Sequence, residues 1–280
     1  MNIDELRRQS IQNRIDIIEM IAEAGSGHPG GSLSCIDILT VLYFEKMNID
    51  PSNPEWEDRD RFVLSKGHAA PALYACLAER GYFSKRTLLT LRKLKSILQG
   101  HPDCVRTPGV DTSSGSLGQG LSIANGMALA AKIDEKDYFV YTVLGDGEIQ
   151  EGQIWEAAMT ASHHALGNLI AFVDWNGLQI DGRCDDLKCI CPIEDKFLAF
   201  GWYVISIDGH DFEQIAVAID EAQGIEDRPT MIVAKTIKGK DVSFMEDNIG
   251  FHGKAPNDEE TEQALQELKL LLEQNGGSVE

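Results

Sequence analysis

The sequence predicts an α/β fold, a parallel sheet flanked by helices on both faces, and three observations carry that expectation. Short apolar runs at 61–65, 138–144, 168–174, 202–207 and 230–236 each have a strand's length and are bounded by turn or helix signals. Segments with helical apolar spacing lie between them, and strands that alternate with helices build parallel sheets. Gly145-Asp146-Gly147 and Asp174-Trp175-Asn176 end two of the runs, with Asp146 and Asn176 thirty positions apart, about one strand–helix–strand excursion. Such an excursion returns both side chains to one edge of the sheet, where open α/β sheets bind ligands. The 280 residues contain no repeat, linker or low-complexity segment, so one domain over 1–280 is expected.

The elements follow in order. Leu6, Ile11, Ile15, Ile18 and Ile21 recur at helical spacing and predict a helix over 3–24, closed by Gly25-Ser26-Gly27. A second helix is expected at 33–46. Arg61 to Ser65 is the first strand, followed by helices near 69–80 and 84–95. Residues 116–132 are rich in Gly and Ala, which suits a helix packed tightly on a neighbour. After the remaining strands, an acidic helix over 258–273 runs to Gly276-Gly277.

A net charge of −20 argues against nucleic acid, whose phosphates need a basic stripe. No apolar run reaches the ~18 residues of a membrane span, and Met1 to Leu6 lack the basic start and apolar core of a signal peptide. Cys35, Cys76 and Cys104 read as small core hydrophobes. Cys184, Cys189 and Cys191 match no familiar zinc spacing and read as three thiols on one loop. A reducing, cytoplasmic compartment is expected.

The chemistry sits at loops. Asp146, Asn176 and a nearby backbone carbonyl are oxygen ligands of the kind Mg²⁺ accepts when phosphates complete its octahedron. A diphosphate held through a metal is therefore the cofactor this spacing suggests. Glycines and a proline surround His28 in 25–34, a rigid close-approach loop, although an incidental surface histidine fits the same residues. His68, in Ser65-Lys66-Gly67-His68, follows a strand's carboxyl end, and a helix start explains it equally well. Gly100-His101-Pro102 precedes Gly115-Ser116-Leu117-Gly118-Gln119-Gly120, which offers backbone amides at a helix start. The latter is not the dinucleotide G-x-G-x-x-G, so a nicotinamide reading fails. Lys235 to Lys240 and Phe251-His252-Gly253-Lys254 are basic clusters in an acidic chain, either a local anion site or solvated loops.

Jointly these motifs resemble one family. Gly145-Asp146-Gly147…Asn176 looks like the thiamine diphosphate signature. The ordered set Gly-His-Pro (27–29), Ser-Lys-Gly-His-Ala (65–69), Gly-His-Pro (100–102), Gly-Ser-Leu-Gly-Gln-Gly (115–120), Leu-Gly-Asp-Gly-Glu (144–148), Lys-Gly (238–239) and His-Gly-Lys (252–254) resembles transketolase, over about 10–256. The resemblance implies the thiamine-diphosphate-binding fold of the family's diphosphate domain. It implies that Asp146, Asn176 and the Leu178 carbonyl hold Mg²⁺, with Ca²⁺ or Mn²⁺ as alternatives. Gly147 and His68 would meet the diphosphate side of the cofactor and Lys238 would sit near it, while Gly115, Ser116 and Leu117 would lie against the thiamine. His28, His101 and His252 would be the catalytic histidines of the sugar channel. Glu151 and Glu156, as neighbours on one helix face, would be interface acids. The reaction implied is transfer of a two-carbon ketol unit from a ketose phosphate to an aldose phosphate, the cofactor supplying the carbanion chemistry.

Three departures qualify the resemblance. Gly30-Gly31 stands where many transketolases have small hydroxyl residues, so a cofactor hydrogen bond would be missing or remade. Lys240-Asp241 alters the loop after Lys238. The family's pyrimidine-binding and C-terminal domains have no counterpart here, which implies a separate C-terminal subunit, most simply in an α₂β₂ assembly. The competing readings are a relative acting on another ketose such as a sulfonated sugar, a subunit of a 2-oxo acid dehydrogenase, and a non-catalytic regulatory subunit.

Overall fold

The computed structural model describes residues 1–278. Five parallel strands form the main sheet: β1 (Arg61–Leu64), β2 (Val140–Gly145), β3 (Leu169–Trp175), β6 (Tyr203–Asp208) and β7 (Thr230–Lys235), in the order β1-β2-β3-β7-β6. Between β3 and β6 the chain makes a small hairpin, β4 (Leu178–Gln179) with β5 (Gly182–Arg183). The register pairs Gly145 with Asp174 and Trp175 with Lys235. The carboxyl ends of β2, β3 and β7 therefore lie side by side, each about to enter a loop that carries chemistry.

Both sheet faces are covered over β1, β2, β3 and β7, which explains why these strands read as nearly continuous apolar runs, and the edge strand β6 is only partly covered. Successive side chains alternate between two cores. Tyr141, Val143, Ile170, Phe172 and Ile232 face one core. Against it pack α1 (Ile3–Ala24), α2 (Pro29–Val41), α3 (Ala70–Arg80), α8 (Phe212–Gln223) and α9 (Asp258–Gln274). Leu144, Leu169, Ala171, Val173 and Met231 face the other, under α4 (Gln119–Ile133), α5 (Gly152–His163) and α7 (Ile193–Ala199). α1 starts on a capping box between Asn2 and Glu5 and stops at Gly25, whose φ of 62° is left-handed. No helix among the described residues is long and apolar enough to cross a membrane.

Several boundaries differ from expectation. The second helix begins at Pro29, an N1 proline, and its last turn widens into a π-helix over Leu42–Lys46. Residues 84–95 form only a 3₁₀ stretch, Lys85–Thr90, because Arg92 and Lys95 take φ of 60° and 68°, which no right-handed helix accommodates. α4 starts at Gln119 and not at Ser116, since Gly118 sits at φ 85° and leaves Gly115 to Leu117 as a loop. Cys104 is exposed and is not a core residue.

One buried pair anchors the helical layer to the site. The Arg14 guanidinium donates to both Asp37 oxygens at 2.8 Å, and both side chains are buried. Burial alone would raise the Asp37 carboxyl, but Arg14 and His210 hold it well below the usual range. His210 Nδ1 lies 2.7 Å from Asp37, while its Nε2 accepts from the Ile237 N–H at 2.8 Å, the residue before Lys238. That backbone bond fixes the tautomer, with the proton on Nδ1. Arg14→Met should destabilise the chain by about 3–5 kcal/mol in denaturant unfolding, because it leaves Asp37 charged and buried. The double variant with Asp37→Leu should recover part of that loss. A single-variant effect below about 1 kcal/mol, the range of a solvent-exposed pair, would contradict the assignment.

Candidate active site

The loops after β2, β3 and β7 and the entries to α2 and α3 converge on one cavity of about 410 Å³. Its lining includes His28, His68, His101, His252, Gly115, Leu117, Asp146, Gly147, Asn176, Leu178 and Lys238. Ser116 is exposed and is not part of that lining, since the loop turns it outward between Gly115 and Leu117. Glu151 and Glu156 do not share a helix face. Glu151 is the residue before α5 and lies at the cavity beside Gly118, whereas Glu156 faces a separate groove between α4 and α5. The turn at Glu151, with ψ of 133°, separates the two.

The oxygen cluster is built by backbone geometry. One Asp146 oxygen accepts from the Gly147 N–H at 2.7 Å and the other from the Gly177 N–H at 2.5 Å, so the carboxylate bridges the ends of β2 and β3. Asn176 gives its amide NH₂ to Asp174 at 3.2 Å, which leaves its Oδ1 for the Leu178 N–H at 3.1 Å and for a cation. Burial, and then the neighbouring Asp174, push the Asp146 carboxyl up to about 6. Lys238 reaches this cluster, its Nζ donating to the Leu178 carbonyl at 3.0 Å. Burial draws Lys238 down to about 8 even so. A buried carboxylate, an amide oxygen and a carbonyl make a hard, under-compensated oxygen set, and it fits a divalent cation.

Three imidazoles stand together across the cavity. The ring centroids of His28 and His68 are 5.3 Å apart, those of His28 and His252 5.6 Å, and those of His68 and His252 5.3 Å. Burial lowers His28 to about 4 and His252 to about 3, and it holds His68 well below its ordinary value. Around neutrality all three are uncharged. His252 Nδ1 lies 2.8 Å from Lys238 Nζ, which makes it the acceptor. His28 Nδ1 is buried with no hydrogen-bond partner among the described residues. Such an orphan is rare in a packed protein and points to a ligand group. His101 packs over Gly115, where an added Cβ would come within 2.9 Å of the ring, so glycine is required there on spacing as well as on its φ of 139°.

Three groups that sequence reasoning left without a role organise the site. Lys66 Nζ binds Asp174 at 2.5 Å and the Gly31 carbonyl at 2.7 Å, in a buried position. Glu148 accepts from the Gly118 N–H at 2.9 Å, the Gly145 N–H at 3.0 Å and the Ser65 hydroxyl, tying together the loops at 65, 118 and 145. Cys184 is buried, and its thiol, raised to about 12 chiefly by burial, borders Asp146. The placement of Lys66 and Glu148 inside Ser-Lys-Gly-His and Gly-Asp-Gly-Glu was the available signal. Gly31 lies against the His68 ring, where a Cβ would approach within 3.3 Å, so the glycine brings α2 close to the histidines. Among the loop residues, Gly239 and Asp241 take φ of 78° and 68°, and Asp241 turns back to Arg14 at 3.1 Å.

Known proteins share this arrangement. Residues 7–274 match the family model described as transketolase, thiamine diphosphate binding domain. The chain is 48% identical over 265 residues to the 6-deoxy-6-sulfo-D-fructose transketolase subunit SqwG of Clostridium sp. (strain MSTE9), covering 95% of this chain and 96% of that protein. It is 41% identical over 281 residues to an apulose-4-phosphate transketolase subunit from Phocaeicola vulgatus, covering 99% and 100%. The crystal structure of transketolase from Campylobacter jejuni superposes with a TM-score of 0.90 at 36% identity, over 99% of this chain and 44% of that one. The chain thus spans the length of the two subunits and less than half of the longer enzyme. With a family match over nearly all its residues and subunits of that name aligned end to end, the chain belongs to the transketolase family.

Proposed function

We propose that this chain is the diphosphate-holding subunit of a two-subunit transketolase, which moves a two-carbon ketol unit from a ketose to an aldose. The observation that carries the reading is the meeting of the Asp146, Asn176 and Leu178 oxygens with four histidines in one cavity. The subunit names of the two relatives, and the 44% coverage of the Campylobacter jejuni enzyme, support a partner that closes the pyrimidine end of the cofactor. An α₂β₂ assembly is the simplest arrangement.

In this reading Asp146, Asn176 and the Leu178 carbonyl would hold Mg²⁺, or Ca²⁺ or Mn²⁺ in its place. Gly147, His68 and Lys238 would meet the diphosphate, and Gly115 and Leu117 would lie against the thiamine. Bound thiamine diphosphate supplies the carbanion stabilisation that no side chain here offers. The chain's own residues do the rest. Neutral His28 presents one acceptor and one donor nitrogen, and His252, its Nδ1 held by Lys238, keeps Nε2–H as a donor, so with His101 at the rim they can hold sugar hydroxyls and pass protons. The unpartnered His28 Nδ1 is the natural seat for one such hydroxyl. The names of the relatives support, as a second reading, a sulfonated ketose or a ketose 4-phosphate in place of a pentose phosphate.

The test is an assay of the purified chain with thiamine diphosphate and Mg²⁺, using xylulose 5-phosphate or 6-deoxy-6-sulfofructose as donor and ribose 5-phosphate as acceptor. No turnover is expected from the chain alone, with activity appearing once the second polypeptide is added. Full turnover by the chain alone would refute the split. By calorimetry, Asp146→Ala should weaken Mg²⁺-dependent thiamine diphosphate binding by more than about a hundredfold, beyond what loss of an outer-shell group produces. Unchanged affinity would remove Asp146 from the metal site. Nitrogen NMR of the histidine rings should find His28 and His252 neutral from pH 8 down to pH 5, since a base whose folded pKa is lowered protonates only at lower pH. A midpoint near the ordinary 6.5 for either ring would contradict their burial.

A further inference from the structure

The segment after β3 forms the rim of the cavity, where Gln179, Ile180 and Asp181 line it, and then continues into the short helix α6 (Cys184–Lys188). The fold regroups the cysteines of this segment. Cys184 turns inward toward Asp146, while Asp185, Cys189 and Cys191 come together on the outer side, their ligand atoms all within 4.8 Å of one another. Asp185 and Cys189 are one helical turn apart, and Cys189 Sγ lies 3.5 Å from Asp185 Oδ1. Tetrahedral zinc, with bonds of about 2.3 Å to sulfur and 2.0–2.2 Å to oxygen, needs donor separations of about 3.5–3.8 Å. One edge of that tetrahedron is already formed, and the others close with small side-chain shifts.

We propose that Asp185, Cys189 and Cys191 bind a thiophilic divalent cation of the zinc type, with water in the fourth position. Two thiolates and one carboxylate select such an ion against Mg²⁺, whereas the all-oxygen set at Asp146 does the reverse, so the two sites take different metals. Binding forms two metal–sulfur bonds and releases the two thiol protons to solvent. All six cysteines are free thiols, so no disulfide competes within the chain. The ion would clip the rim. It joins the end of α6 to the Cys191 turn, next to the point where Gln150 Nε2 holds the Lys188 carbonyl at 2.8 Å and Cys184 N–H holds the Gly177 carbonyl at 2.9 Å.

Co²⁺ titration under a non-thiol reductant tests this, using the full chain already saturated with Mg²⁺ and thiamine diphosphate. The expected result is one Co²⁺ per chain showing thiolate-to-cobalt charge transfer and the intense visible bands of tetrahedral coordination. Zn²⁺ should displace it, and amide exchange across 180–190 should slow. Both signals should be lost in Cys189→Ser/Cys191→Ser and should persist in Cys104→Ser; the thiolate–cobalt bands should also persist in Asp146→Ala titrated without the cofactor. The Asp146→Ala variant separates this site from the cofactor metal. Only the weak spectrum of oxygen-bound, octahedral cobalt, a thiolate band that survives the double substitution, or unchanged exchange across 180–190 would each overturn the proposal.

Discussion

The buried contact between Lys66 and Asp174 is the constraint on which the site depends. Asp174, the penultimate residue of β3, has no solvent exposure and accepts from Lys66, the Ser34 hydroxyl, the Thr236 hydroxyl and the Asn176 amide. Those partners come from the loop after β1, from α2, from the end of β7 and from the loop after β3. One carboxylate therefore sets the relative positions of four separate chain segments. Burial alone would raise Asp174, but Lys66 and the hydroxyl donors keep it ionised. Lys66 in turn holds the Gly31 carbonyl, and Gly31 packs against His68, so the order runs from an ion pair to a histidine of the cavity. A lone buried charge would be severely destabilising, and the network tolerates this one because its oxygens are all engaged.

Around that fixed frame the remaining ionisable groups are displaced toward their neutral forms. Asp146 rises to about 6, His28 falls to about 4, His252 to about 3 and Lys238 to about 8, with burial the leading cause in each case. The side chains that ring the cavity are thus set in a low-dielectric surround. In such surroundings a cation and a diphosphate relieve one another's desolvation, and each polar contact counts for more than it would in water. The Arg14–Asp37–His210 chain supports the same region from beneath by fixing the Ile237 amide beside Lys238.

Much of this was legible in the sequence, for physical reasons. Strands buried on both faces must be largely apolar, and β1, β2, β3 and β7 stood out accordingly, while the edge strand β6 is only partly covered. Glycines at 31, 115 and 147 mark places where backbone meets a histidine or another loop residue, so the motifs carried spatial information. What escaped was set by long-range contacts. Leu88, Leu89, Leu91 and Leu94 suggest a helix, yet Arg92 and Lys95 adopt left-handed backbone and Leu94 lies in solvent. The β4–β5 hairpin has two-residue strands, too short for any periodicity to register. Glu151 and Glu156, five positions apart, share neither the i,i+4 spacing of one helix face nor a helix, because the first precedes α5. The grouping of Asp185 with Cys189 and Cys191 needed the fold, since spacing alone paired the cysteines with one another.

The proposed function requires a divalent ion between the ends of β2 and β3. The most direct measurement is a crystal structure of the chain grown with thiamine diphosphate and Mn²⁺, with data collected at the manganese absorption edge. The expected result is an anomalous peak within bonding distance of Asp146, Asn176 and the Leu178 carbonyl, beside the diphosphate. A bound cofactor whose metal peak lies elsewhere, or is absent from that crevice, would contradict it.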